Sequence, residues 1–474
     1  MRLVLSFLAT VLIGGCASLP DVQPWFNSSG ASKPPSIVGS RGPLSPERAA
    51  RVLARLQSTG APDLLARHLA IEEEVAGRPL TVGNSATLLR DGPASYAAMF
   101  DAIESARDHI NIEFYIIEGE EVGQRFSDVL LRKAAEGVSV NLIYDSVGSS
   151  GTPAEYFQRL RAGGVRVLEY NPVNPLKARG GWRVNNRNHS KLVIVDGRVA
   201  FTGGINISDV YASGSAAAHS GSSGSRASGG ASGLNLGSRP SGSSAIGWRD
   251  TNVRIQGPAV EQLQRLFLDT WIAQEGEVLP ARNWYPGVKR EGDLPVRVIA
   301  SGPDDAVPSI YVALLSAIAH AEKSVHITMA YFVPDPQTID LLKRAAARGV
   351  DVTLVLPSYT DFWAVFHAGR SHYAELMQAG VKIYERQQAL LHSKTIVIDG
   401  VWSTVGSSNM DFRSFLHNQE LTAVILGWEF GRQMESMFED DMRGSVRIDA
   451  EQWERRPVNV QMKEWFGRIW QYWL

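Results

Sequence analysis

The sequence predicts an α/β protein of two similar lobes, each a mixed β-sheet flanked by helices, closing on one shared site as a pseudo-dimer within the chain. Three observations carry this. His189-Ser190-Lys191, with Asp196 beyond, recurs as His392-Ser393-Lys394 with Asp399 beyond. Each copy then reaches a small-residue element at the same distance, Gly203-Gly204-Ile205-Asn206 and Gly406-Ser407-Ser408-Asn409. The segments upstream repeat as well: 102–106 mirrors 317–321, 133–138 echoes 344–350, and 160–165 echoes 376–381. In the last two pairs a helix closes at glycine and a β-branched strand begins, which is how α/β lobes are assembled.

Taken from the N-terminus, Arg2 precedes an apolar run at 3–13 that is too short to span a bilayer but suits a signal-peptide core. The run ends in Ile13-Gly14-Gly15-Cys16, which resembles a bacterial lipoprotein box. The expectation is cleavage of residues 1–15 and lipidation of Cys16. Cys16 is the only cysteine, so no intramolecular disulfide can form. Ala17 follows it, not Asp, and by resemblance to Gram-negative lipoproteins this points to the periplasmic face of the outer membrane. Residues 16–45 are rich in Pro, Ser and Gly and read as a flexible tether. Helical-looking segments at 45–75 are expected to pack on the first lobe, which is placed at 46–280. The second lobe is placed at 281–474.

The motif segments have a direct physical reading. His and Lys at i and i+2 share one face of a strand. The β-branched runs Leu192-Val193-Ile194-Val195 and Thr395-Ile396-Val397-Ile398 suit buried strands. Asp196-Gly197 and Asp399-Gly400 suit hairpin turns. The returning strands end at glycines, where a ligand can approach the backbone. Each lobe thus offers an imidazole, an ammonium and a carboxamide at the end of a rigid hairpin. Lysine charge and neutral amide donors are suited to phosphate oxygens.

These residues match the HxKxxxxD signature, with its trailing glycine-asparagine element, of the phospholipase D superfamily. Within it the chain most resembles the bacterial cardiolipin synthases. The stretches that carry the likeness include Asn111-Ile112-Glu113-Phe114-Tyr115, Tyr144-Asp145-Ser146-Val147-Gly148-Ser149, Trp248-Arg249-Asp250-Thr251, Tyr331-Phe332-Val333-Pro334 and Asp411-Phe412-Arg413-Ser414-Phe415. The similarity runs from about residue 80 to about 445. Synthases of this kind often carry transmembrane helices at the N-terminus; here a lipoprotein-like leader stands in their place.

The resemblance implies a two-step phosphatidyl transfer without metal or other cofactor. One histidine attacks phosphorus to form a phosphohistidine, and the other protonates the leaving alcohol, then deprotonates the incoming one. Family analogy assigns His189 as nucleophile and His392 as acid/base, an order the internal symmetry leaves open. Lys191, Lys394, Asn206 and Asn409 would hold the non-bridging oxygens. A carboxylate downstream of each motif would orient each imidazole. Glu420 lies 28 residues past His392 and Asp250 lies 61 past His189, the Ser/Gly/Ala tract at 212–246 accounting for the difference. Asp196 and Asp399 are expected to be structural turn and salt-bridge residues.

The implied reaction makes cardiolipin from phosphatidylglycerol and a second phospholipid, possible partners including phosphatidylethanolamine. The alternatives are a hydrolytic phospholipase D that releases phosphatidic acid, another phosphodiesterase or nuclease of the superfamily, and a non-catalytic envelope scaffold. With 47 basic against 49 acidic residues the chain lacks the global basic field of a polyanion binder, which disfavours nucleic acid. No metal-ligand spacing stands out. His109, His219, His320 and His326 read as structural or incidental, and the 212–246 tract as an unstructured surface insertion. Phe362, Trp363 and Phe366 could offer an apolar entrance for acyl chains. Trp465, Phe466, Ile469, Trp470, Tyr472 and Trp473 suggest either an interfacial aromatic surface or a terminal helix docked on the core.

Overall fold

A computed structural model describes residues 18–26, 35–57, 64–177, 182–214 and 247–471. The leader with Cys16, His219, the tract at 215–246, Tyr472 and Trp473 lie outside the described residues.

The first part of the chain forms helices α1 (Pro46–Gln57) and α2 (Leu69–Ala76), then strand β1 (Leu80–Arg90) and helix α3 (Asp91–Glu104). Strands β2 (His109–Phe114), β3 (Ser139–Asp145) and β4 (Arg166–Tyr170) follow in a parallel ladder. Next come β5 (Arg187–Asn188), β6 (Leu192–Val195), β7 (Val199–Gly203), β8 (Trp248–Arg249), β9 (Thr251–Gln256) and helix α4 (Ala259–Ala273). The second part repeats the plan with β10 (Leu294–Ser301), helix α5 (Ser309–Ala319), β11 (Ser324–Met329), β12 (Asp351–Pro357), helix α6 (Trp363–Arg370) and β13 (Lys382–Arg386). It continues through β14 (Leu390–Leu391), β15 (Lys394–Ile398), β16 (Trp402–Gly406), β17 (Asn418–Leu426) and helix α7 (Trp428–Arg443), and ends in helix α8 (Val458–Trp470).

In the first lobe the pairing order is β4-β3-β2-β6-β7-β9-β1. In the second it is β13-β12-β11-β15-β16-β17-β10, the same order of equivalent strands. The two sheets join edge to edge where β1 pairs antiparallel with β10. A repeated sequence has therefore folded as a repeated sheet, and each edge strand covers the other's unpaired backbone groups. The lobes also share a core: Leu263 and Phe267 of α4 and Met434 and Met437 of α7 lie in one buried cluster with Ile194, Val253, Val298, Val405 and Ala423. Burial across the joint makes the lobes interlock instead of moving as loose domains.

The segments at 45–75 depart from expectation, because they pack on the second lobe and not the first. Leu56, Leu65, Leu69 and Ile71 belong to the same cluster as Leu314, Leu315 and Ile318 of α5. The cause is electrostatic as well as apolar. Glu72 is fully buried, and its carboxylate accepts hydrogen bonds from Arg297 of β10 at 2.8 Å and from Trp402 Nε1 of β16 at 2.8 Å. His68 stands 3.0 Å away. A buried carboxylate requires such partners, and the second lobe supplies them.

The Asp-Gly hairpins form as predicted. Asp196 and Gly197 have φ of 52° and 59°, Asp399 and Gly400 of 55° and 67°, the left-handed pair that a tight hairpin turn demands. The salt-bridge role expected for the two aspartates is corrected. Among the described residues, Asp196 accepts from the backbone N–H groups of Arg107, Asp108 and His109 at 2.8–3.0 Å. Asp399 accepts from those of Glu322, Lys323 and Ser324 at 2.7–2.9 Å. Each carboxylate fastens its hairpin to the start of the neighbouring antiparallel strand, β2 or β11, where three amides converge.

Candidate active site

Both histidines sit at the junction of the lobes because the strands carrying them pair across it. Strand β5, just before His189, runs parallel to the start of β17, with Asn188 opposite Gln419. Strand β14, just before His392, runs parallel to β8, with Leu391 opposite Arg249. The His189 N–H donates to Gln419 O at 2.9 Å, and the His392 N–H to Arg249 O at 2.8 Å. The residue after each acceptor is the carboxylate.

The carboxylates are consequently exchanged between the lobes. His189 Nδ1 lies 3.0 and 3.1 Å from the two oxygens of Glu420, which follows the second motif. His392 Nδ1 lies 2.8 Å from Asp250 Oδ2, which follows the first. A carboxylate can only accept, so Glu420 puts the proton of His189 on Nδ1 and leaves Nε2 for chemistry, and Asp250 favours the same tautomer at His392. Both acids are fully buried. Glu420 is braced by the Ser407 hydroxyl and, at 3.2 Å, by Asn418 Nδ2. Asp250 accepts the Thr251 N–H at 2.7 Å and packs so closely on Gly204 that a Cβ there would fall 2.1 Å from Oδ1. That is why a glycine stands at this point of the motif.

Lys191 and Lys394 are nearly buried, and each turns its ammonium onto the carbonyl of its own histidine. Lys394 Nζ also lies 2.9 Å from His392 Nδ1. Burial in the site moves the titration of both histidines and both lysines. Burial, with neighbouring lysine charge adding to it, pushes the His189 imidazole down to about 4 against the pull of Glu420, and lowers His392 as well. Burial pushes Lys191 down to about 7 and Lys394 to about 8, against the pull of Glu420 and Asp250. Burial alone would raise Glu420, but His189, Lys191 and Ser407 hold it below the ordinary carboxylate range. Two imidazoles biased toward neutrality and two lysines near their titration points make an anion-accepting site. An entering phosphodiester restores the lysine charges and raises the proton affinity of the imidazoles.

Of the two asparagines expected at the non-bridging oxygens, Asn206 has its amide engaged within the protein. Asn206 Oδ1 accepts the Ile116 N–H at 3.1 Å, and its Nδ2 donates to the Tyr211 hydroxyl at 3.3 Å. That hydroxyl lies 3.2 Å from His392 Nδ1, so Asn206 reaches His392 through Tyr211. Asn409 is buried, its Oδ1 without a hydrogen-bond partner, and its backbone N–H donates to Ser414 Oγ at 3.2 Å.

Aromatic walls complete the site. The ring of Tyr115 meets His189 edge-on at 5.1 Å and lies under Lys191 Nζ at 5.4 Å. Trp248, Tyr211 and Tyr331 stand 5.0, 6.1 and 6.4 Å from His392. Tyr211 carried no signal in the sequence. Tyr115, Trp248 and Tyr331 lie in stretches that carried the family likeness, but nothing in their spacing marks them as wall residues. Tyr211 and Trp248 also flank the Ser/Gly/Ala tract, so the chain leaves for that tract and returns from it beside His392. His109, at the start of β2, is bonded to Asp108 and Gln264, and His326 to Glu435, away from these groups. Among the described residues no three His, Cys, Asp or Glu side chains gather as a metal site would require.

Comparison with known proteins gives the family and the fold. The family model described as "Cardiolipin synthase, PLD-like domain" matches residues 99–214 and 314–442, one match in each lobe. The chain is 36% identical over 409 residues to a cardiolipin synthase of Geobacillus thermodenitrificans, covering 85% of this chain and 74% of that one. It is 35% identical over 419 residues to a cardiolipin synthase of Halalkalibacterium halodurans, covering 88% and 75%. Its fold is similar to the crystal structure of a phosphatidylserine synthase from Haemophilus influenzae, with a TM-score of 0.56 at 13% identity over 81% of this chain and 93% of that one. At that identity the likeness speaks for the fold alone. With two matched halves and relatives of this extent, the chain belongs to the cardiolipin synthase family of the phospholipase D superfamily.

Proposed function

We propose that this enzyme transfers a phosphatidyl group between phospholipids and forms cardiolipin from phosphatidylglycerol and a second phospholipid. The observation that carries the reading is the exchanged pair of histidine–carboxylate couples, each with a lysine, in one buried site. In the first step His189 Nε2 attacks phosphorus. The bond from phosphorus to the leaving glycerol oxygen breaks as the His392 imidazolium gives that oxygen its proton. In the second step His392 takes the proton of the acceptor hydroxyl, whose oxygen displaces His189 from phosphorus. Glu420 and Asp250 fix the tautomers and favour the imidazolium that each step generates. Lys191 and Lys394 stabilise charge building on the non-bridging oxygens, at full strength only where water is excluded.

The order of the histidines follows family analogy. Burial and the lysines, which lower both imidazoles, supply a neutral nucleophile; the anionic substrate supplies the reason for the other to hold a proton. The lipoprotein box at Cys16 supports a lipid anchor and a place on the periplasmic face of the outer membrane. Loss of radiolabelled acyl incorporation in Cys16→Ser, with fractionation of the wild-type protein, tests this.

The deciding experiment is mass spectrometry of lipids after incubating the purified protein with vesicles of phosphatidylglycerol and phosphatidylethanolamine. Cardiolipin is expected from the wild type, and none from His189→Ala or His392→Ala. Phosphatidic acid without cardiolipin would make the enzyme a hydrolase, and an unchanged lipid pool would point to another phosphodiester.

A further inference from the structure

Helix α8 is turned inside out relative to an ordinary surface helix. Its buried residues are Val460, Glu464 and Gly467, with Glu464 paired to Arg456 at 2.7 Å. A Cβ at Gly467 would come within 2.7 Å of the Ala368 amide, so α8 lies with its backbone almost against α6. The large apolar residues face outward instead: Val458, Met462, Trp465, Phe466, Ile469 and Trp470 are each 47–70% exposed. Their spacing places them on one side of the helix. Phe362 and Trp363, at the start of α6, are 49% and 45% exposed and extend the patch, with the Trp363 and Phe466 rings 6.3 Å apart. A folded chain does not leave such a contiguous apolar face to water without a partner.

The patch leads to the site. Phe362 follows Asp361, whose carboxylate accepts the Tyr331 hydroxyl at 2.6 Å, and the Tyr331 ring stands edge-on to His392. We propose that this face of α6 and α8 seats the enzyme on the bilayer that holds its substrate. The tryptophans would lie at headgroup depth, and the acyl chains would stay in the membrane while the phosphodiester reaches the histidines. The proposal rests on the phosphatidyl-transfer reading, since a two-chain lipid is held in the bilayer by its tails and the site must come to it. Tryptophan is the side chain enriched at that depth, and the basic Lys463 and Arg468 lie on the same helix.

A rival face makes a built-in control. Arg48 and Arg51 of α1 line a cleft with Arg290 at the Leu426 end of β17. That end lies about 20 Å along the strand from Glu420.

The test uses the full chain carrying Cys16→Ser, which leaves no other cysteine. Ile469→Cys or Arg51→Cys then takes a polarity-sensitive fluorophore, and each protein is mixed with phosphatidylglycerol–phosphatidylethanolamine vesicles. Emission is expected to shift to the blue at 469 and to be quenched there by brominated lipid, with no change at 51. A shift at 51 alone, or none at 469, overturns the proposal. In parallel, Trp465→Ser combined with Ile469→Ser should lower turnover on vesicles by about tenfold per residue. Turnover on short-chain monomeric phosphatidylglycerol and the unfolding transition should stay unchanged. Equal losses on both substrates, or no loss on vesicles, also overturn it. If the wild type makes no phosphatidyl product from the short-chain lipid while the 469 label inserts, the transfer reading fails and the docking face stands.

Discussion

The exchange of carboxylates predicts which variants should behave alike. At 3.0 Å and an effective dielectric near 20, an imidazolium–carboxylate pair such as His189–Glu420 is worth about 5 kcal/mol. Glu420→Gln keeps the shape and leaves a neutral contact worth about 1 kcal/mol. The imidazolium is only partly formed at the transition state, so the net loss is about 3 kcal/mol, roughly a hundredfold in rate. Asp250→Asn should cost His392 a similar factor. The assay is intact-protein mass spectrometry after mixing with phosphatidylglycerol, read for the phosphatidyl-enzyme adduct alongside steady-state turnover. With His189 as nucleophile, Glu420→Gln should resemble His189→Ala and accumulate no adduct. Asp250→Asn should resemble a weakened His392, forming and discharging the adduct slowly. If instead Asp250→Asn abolishes the adduct as His189→Ala does, while Glu420→Gln tracks His392→Ala, each carboxylate serves the histidine of its own lobe. The exchanged geometry is then refuted.

Three further outcomes follow from the same contacts. Lys191 and Lys394, pushed by burial to about 7 and about 8, lose their charge as pH rises through those values, so kcat/KM on a short-chain phospholipid should fall on the alkaline side. The His189 imidazole, pushed by burial to about 4, loses its nucleophilic form as pH falls through that value and sets the acid limb; a profile flat to well above pH 8 would contradict the lysine assignment. Arg297→Met strips the cation from buried Glu72 and should cost about 3–5 kcal/mol in urea unfolding, whereas a loss below about 1 kcal/mol would mean that the contact does not hold α2 to the second lobe. Asp399→Ala removes the acceptor of three backbone amides and should destabilise by about 2–3 kcal/mol, with turnover per folded molecule within a few-fold of wild type; a collapse of turnover in folded protein would give Asp399 a chemical role.

Much of the site was legible because its chemistry repeats along the chain. A histidine and a lysine two residues apart share a strand face whatever surrounds them, and an Asp-Gly after a β-branched run makes its own turn. Local geometry therefore located His189, Lys191, His392 and Lys394, and subtracting the Ser/Gly/Ala tract located Asp250 beside Glu420. What spacing could not reveal is which lobe each carboxylate serves. Glu420 follows the second motif in sequence but reaches the first histidine, because β17 pairs with β5 across the joint. Only that non-local register decides the partner. The same limit explains α2, a helical-looking segment whose sequence did not say which lobe it would join until Arg297 and Trp402 met Glu72. It explains Asn206, whose amide is claimed by Tyr211, and Asp196, whose charge is claimed by backbone amides. It explains α8 too, since sequence showed its aromatic residues, but only docking on α6 through Gly467 decided that their side would face outward. The sequence determined the groups and their local frames, which depend on backbone periodicity. The tertiary structure decided the pairings, because a buried charge or an edge strand takes the partner that folding brings to it.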